Sequence, residues 1–248
     1  MPMTACRVEV VKDTAAIARA AAELFVKLAA QAARARRPFH VLLAGGTTPK
    51  TLYTVLASAE YRSRVDWDRV AFFFGDERAV PPDHPQSNYR MANEMLFRPL
   101  GIAESFIHRM KAEAEDLNAA AAAYEGELRA SFGAFPRFDL VLLGMGSDGH
   151  TASLFPGSPV LKEQSQWVAP VLDAPKPPPR RLTVTLPVLN AGHQVLFMVA
   201  GRRKAPALRE VLEGTAPPEQ YPAKCIQPGP ERLRWLVDEA AGAELRGR

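Results

Sequence analysis

Three short runs that are apolar at nearly every position, each emptying into a loop that carries glycine, constrain this chain more than any other feature. They are FHVLLA at residues 39–44, VAFFF at 70–74 and FDLVLL at 138–143. A strand with no polar side has no solvent face, so both of its faces must be covered. Helix-forming stretches lie between the runs. Asp13 caps a segment over residues 14–37 in which Ile17, Ala21, Leu24 and Leu28 recur at helical spacing until Pro38 stops it. Thr48 as N-cap, followed by Pro49, restarts a helix to residue 58. Residues 75–87 read as a long polar loop before a helix over 88–97, and an Ala-rich helix over 116–131 precedes the third run. Runs at 167–172, 181–186 and 194–200 extend the sheet. Alternating strands and helices of this kind predict an α/β fold, a largely parallel sheet with helices on both faces, as a single domain over residues 1–248.

With 248 residues, 47% hydrophobic and 23% charged, the chain can bury a full core. Its net charge of +4 is scattered along the length, which suits an anionic small molecule and falls short of a nucleic-acid stripe. Cys6 and Cys225 lie far apart without ligand spacing, so they read as reduced bystanders, neither disulfide nor zinc site. His40, His108 and His193 likewise carry no metal argument. Residues 1–12 lack the apolar run of a signal peptide, and no stretch approaches the roughly 20 apolar residues that span a bilayer. The expectation is a cytoplasmic protein with no membrane or nucleic-acid partner.

In open α/β sheets ligands sit beyond the carboxyl ends of the strands, so the loops after Ala44, Phe74, Leu143 and Ala200 should converge on one crevice. The first holds Gly45, Gly46, Thr47 and Thr48, whose backbone donors and hydroxyls at a helix start suit a phosphate; an ordinary glycine turn with a Thr-Pro cap is the plainer alternative. The second brings Asp76, Glu77 and Arg78 to the rim. There Arg78 could hold a polar substrate and Asp76 orient it, or the charges could close a surface loop as an ion pair. The fourth offers Lys204 at a helix opening, with Arg202 and Arg203 reading as solvated. Arg181 is a further anion ligand, with Arg180 as its indistinct neighbour. Residues 176–179 (KPPP) read as a Pro-rich surface segment.

The third loop runs Gly144-Met145-Gly146-Ser147-Asp148-Gly149-His150. Its glycines match a dinucleotide fingerprint literally, but that fingerprint needs a helix opening at the loop and an acidic residue after the next strand. Pro156, Gly157 and Pro159 break any such helix. The alternative is chemistry: Asp148 orients the imidazole of His150, and glycine-loop N–H groups, including that of Gly146, serve a developing oxyanion.

Taken in order, LAGGTTPKTLY (43–53), FFGDERAVPPDHPQSN (73–88), LLGMGSDGHTASLFPGS (142–158), RLTVTLPVLN (181–190) and VAGRRKA (199–205) closely resemble the 6-phosphogluconolactonase family. The resemblance implies a Rossmann-like fold akin to glucosamine-6-phosphate deaminase and ribose-5-phosphate isomerase, and hydrolysis of 6-phosphogluconolactone. It implies His150 as general base, Asp148 as its orienting partner, and Thr47, Thr48, Arg181 and Lys204 on the phosphate, with no metal or cofactor. Sibling deaminases carry a glutamate where Phe155 stands, which argues against deamination; a non-catalytic sugar-phosphate sensor is the reading from another class. Lys224 replaces a serine usual in a C-terminal Pro-Ala-Ser segment, and no binding role is assigned there.

Overall fold

The computed structural model describes residues 7–246; Cys6 lies outside that range. Seven strands form one parallel sheet in the order β1-β10-β9-β6-β2-β3-β5. They are β1 (Arg7–Val11), β2 (Phe39–Leu43), β3 (Val70–Phe74), β5 (Ile107–His108), β6 (Leu140–Leu143), β9 (Val195–Val199) and β10 (Leu233–Asp238). Strands β3, β6 and β9 are buried at every residue and β2 at all but His40, so both sheet faces are covered, as their unbroken apolar runs require. The order places β9, β6, β2 and β3 side by side. In register Phe197 meets Leu143, Val141 meets Leu42 and Leu43 meets Phe74, so four carboxyl ends open on the same edge.

Asp13 caps α1 (Thr14–Arg34) by accepting from the Ala16 N–H at 2.8 Å. The helix stops three residues short of the expected end because Arg36 turns left-handed at φ 55° and the Arg37 N–H returns to the Ala32 carbonyl. Helix α2 (Thr47–Leu56) begins two residues earlier than read: Gly46, at φ 99°, is the N-cap, and Thr47 and Thr48 lie inside the first turn. Ser87 caps α3 (Asn88–Ala92), which passes through a π turn over Asn93–Phe97 into α4 (Arg98–Leu100). Asp116 caps α5 (Leu117–Phe132) with its carboxylate. Two further helices, α6 (Leu186–Ala191) and α7 (Ala205–Glu213), follow.

Two expected sheet extensions go elsewhere. Residues 75–87 are not all loop, since β4 (Asp76–Arg78) pairs antiparallel with β8 (Arg181–Val184), and β8 pairs antiparallel with β7 (Val168–Val171). The runs at 167–172 and 181–186 therefore build a small second sheet above the cleft-forming edge instead of widening the first. Among the described residues no helix is long and apolar enough to cross a membrane, and no group of three or more His, Cys, Asp or Glu could hold a metal ion.

Candidate active site

One cleft of about 820 Å³, counted to its open mouth, collects the loops after β2, β3, β6 and β9. Gly45, Gly46, Thr47, Thr48, Asp76, Arg78, Gly146, His150, Arg181 and Lys204 all line it. Arg180 turns away to the Glu115 carbonyl, and Arg202 and Arg203 stay exposed outside the lining.

Asp148 stands behind His150, with Oδ1 2.5 Å from the imidazole Nδ1. Burial alone would raise the Asp148 carboxyl; hydrogen bonds from His150 and from Lys176 outweigh it and hold the group well below the ordinary carboxylate range. The Lys176 ammonium lies 2.8 Å from Asp148 Oδ2. Sequence reading placed Lys176 in a surface segment and missed this pairing. Phe155, buried, packs its ring against the imidazole at 4.6 Å and gives it an apolar neighbour.

The glycines of this loop work differently from expectation. The Gly146 N–H donates to the His150 carbonyl at 2.8 Å and the Gly149 N–H to the Gly146 carbonyl at 3.0 Å, so neither is free for an oxyanion. Gly146 is needed for space, because a Cβ there would overlap the His150 ring and the Asp148 carboxylate. Gly149, at φ 77°, lies against Tyr221, and its carbonyl accepts from the Ala223 N–H at 2.9 Å. Lys224, buried, spends its ammonium on Glu210 and on the Gly214 and Ala216 carbonyls, a structural clamp consistent with assigning it no ligand.

The Asp-Glu-Arg segment is no surface ion pair. Glu77 is buried and accepts from the Ser87 hydroxyl and from the N–H groups of Arg78, Asn88 and Tyr89, while burial pushes its carboxyl up. Asp76 accepts from the Ser153 hydroxyl at 2.7 Å and from the Asn88 amide, which fits over Gly45 so closely that a side chain there would collide with it. Arg78 donates through Nη1 to the Gln86 carbonyl at 2.6 Å, and its buried Nε has no acceptor. Arg181 donates from Nε to the Pro178 carbonyl and from Nη2 to the Lys176 carbonyl, so part of its fork is already committed. Burial pushes the Lys204 ammonium down, against the attraction of Asp238 and with the repulsion of Lys176; it makes no hydrogen bond or ion pair among the described residues.

The family model for glucosamine-6-phosphate isomerases/6-phosphogluconolactonase matches residues 12–235. A 6-phosphogluconolactonase from Synechocystis is 45% identical over 83% of this chain and 84% of its own, and the human one 41% identical over 86% and 83%. Among solved structures, 6-phosphogluconolactonase from Trypanosoma cruzi superposes with a TM-score of 0.88 at 28% identity, covering 99% of this chain and 98% of that one. A monomeric glucosamine-6-phosphate deaminase, at 23% identity and TM-score 0.80 over 96% and 99%, shares the fold. On these matches the chain belongs to the 6-phosphogluconolactonase family.

Proposed function

We propose that this cleft hydrolyses 6-phospho-D-glucono-1,5-lactone to 6-phospho-D-gluconate, the second step of the oxidative pentose phosphate pathway, with His150 as general base. The observation that carries the reading is His150, backed by Asp148, on the wall of a cleft that also holds an unpartnered Lys204. A carboxylate at 2.5 Å keeps the imidazole proton on Nδ1 and leaves the Nε2 lone pair for a water molecule. As the water oxygen bonds to the lactone C1, its proton passes to Nε2 and the carbonyl π electrons move onto oxygen. Collapse re-forms the carbonyl and breaks the bond from C1 to the ring oxygen, which takes the proton back from the imidazolium. One side chain thus serves both half-steps.

Lys204, Thr47, Thr48 and the N-terminus of α2 supply the 6-phosphate grip, a point charge facing hydroxyls and free helix N–H groups. Arg181 adds charge more than a full bidentate fork, and Arg78, on the cleft lining, adds a second guanidinium charge. Deamination is disfavoured by the Phe155 ring against the imidazole. The test is His150→Ala on freshly generated lactone, read against spontaneous hydrolysis. General-base catalysis contributes about 10²–10⁴-fold, so the variant should lose most of its acceleration while still binding 6-phosphogluconate; near-wild-type turnover would exclude the assignment.

A further inference from the structure

We propose that Lys176 is a positioning residue for the general base, a cation that holds the second oxygen of Asp148 and balances its charge beside His150. The proposal rests on the reading of His150 as base. Lys176 reaches the dyad from the connection between β7 and β8, a strap closed by the Ala174 N–H on the Pro179 carbonyl at 2.9 Å. Buried Arg181 grips that strap from below through the carbonyls of Lys176, Pro177 and Pro178. A run of three prolines and a buried guanidinium leave the strap little freedom, so the lysine arrives on a fixed anchor.

The hydrogen positions follow from what each group can donate. The ammonium Nζ stands 2.8 Å from Asp148 Oδ2 and 3.3 Å from His150 Nδ1. An ammonium has donors only. If it donated to Nδ1, that nitrogen would turn a lone pair toward Asp148 Oδ1 at 2.5 Å, two acceptors face to face. The consistent arrangement gives Oδ1 the Nδ1 proton and Oδ2 the lysine. The carboxylate is then held at both oxygens and cannot rotate away from the imidazole.

The charge has a second effect. A carboxylate beside an imidazole favours the imidazolium, which has no lone pair for water. Lys176 sets an opposing charge on the same atoms, which favours the neutral base before attack and eases release of the proton to the ring oxygen afterwards. The other charged groups facing the dyad are Arg181 across the Phe155 ring, and Lys204, Arg78 and Asp76 around the cleft; the three cations act in the same sense as Lys176, Asp76 against it.

The experiment is the pH dependence of kcat/KM for wild type, Lys176→Met and Lys176→Arg, with spontaneous hydrolysis subtracted and His150→Ala as reference. Lys176 lies outside the cleft lining and its side chain is 41% exposed, so the variants should fold, which urea midpoints check. The acidic limb should move up by about one pH unit in Lys176→Met, a tenfold loss below it, and return toward wild type in Lys176→Arg, with KM changed less than about threefold. An unmoved limb, or a loss confined to KM, overturns the proposal. If His150→Ala keeps turnover the base assignment itself fails; if it is inactive while the limb stays put, only the role of Lys176 fails.

Discussion

Adding a single methyl group at Gly146 tests whether the loop geometry sets the catalytic pair. Gly146 lacks the positive φ of Gly149 or Gly46, so alanine is conformationally admissible there. By narrowing the unfolded ensemble it would even contribute about 0.4–1 kcal/mol to stability if the space were empty. The space is not empty, since the new Cβ would land on Nδ1 and Cε1 of His150 and on Oδ1 of Asp148. Restoring a carbon contact of about 3.5 Å obliges the imidazole to retreat by roughly 1 Å, and misplacement of that size costs about 10²-fold in rate, or about 2.7 kcal/mol on the barrier. Initial rates on freshly generated lactone should therefore show kcat down about a hundredfold. KM should move only a few-fold, because Lys204 and the start of α2 are untouched. Full activity in a folded Gly146→Ala protein would refute the argument that this glycine exists to make room for the dyad.

Lys204→Met should raise KM about 10–100-fold, the worth of one charged hydrogen bond, with kcat little changed. Affinity for unphosphorylated gluconate should be equal in the two proteins, as isothermal titration would show. Asp148 lies below its ordinary value, so the stability of its ionised contacts is fully present above about pH 4 and is lost as pH falls further toward the folded value. Asp148→Asn should accordingly be less stable than wild type at neutral pH and decline less steeply between about pH 4 and about pH 2; parallel urea midpoints for the two proteins across that range would contradict this.

What could be read from the chain and what could not divide along physical lines. Strands β2, β3, β6 and β9 are buried almost throughout, so their apolar runs announce them, and with them the edge where the loops gather. Strand β1 lies at the sheet margin, exposed at four of five residues, and β5 has only two residues, so neither carries such a signal. Strand β4 consists of Asp76, Glu77 and Arg78, and nothing local suggests a strand; it exists because β8, a hundred residues on, pairs with it and because Ser153, Ser87 and Asn88 satisfy its buried carboxylates. The same limit hid Lys176. Its neighbours are prolines, and only the grip of Arg181 on the segment's carbonyls and the charge of Asp148, from another loop, bring its ammonium to the dyad. The pair Asp148 and His150 was readable because both partners sit in one loop.

The adjacency of β9, β6, β2 and β3 also bears on how the protein comes to life during synthesis and refolding. The proposed phosphate grip draws on Thr47 and Lys204, and the dyad on Asp148 and His150, positions that become neighbours only when the parallel pairings of β3 with β2, β2 with β6 and β6 with β9 have all closed, the longest joining Val41 to Leu140. Such pairings form late, because chain closure must precede any reward from contact. Regain of turnover after dilution from denaturant is therefore a clock for completion of the whole sheet: collapsed species with native-like helices should be inert, and no fragment ending before β9 should show even residual hydrolysis.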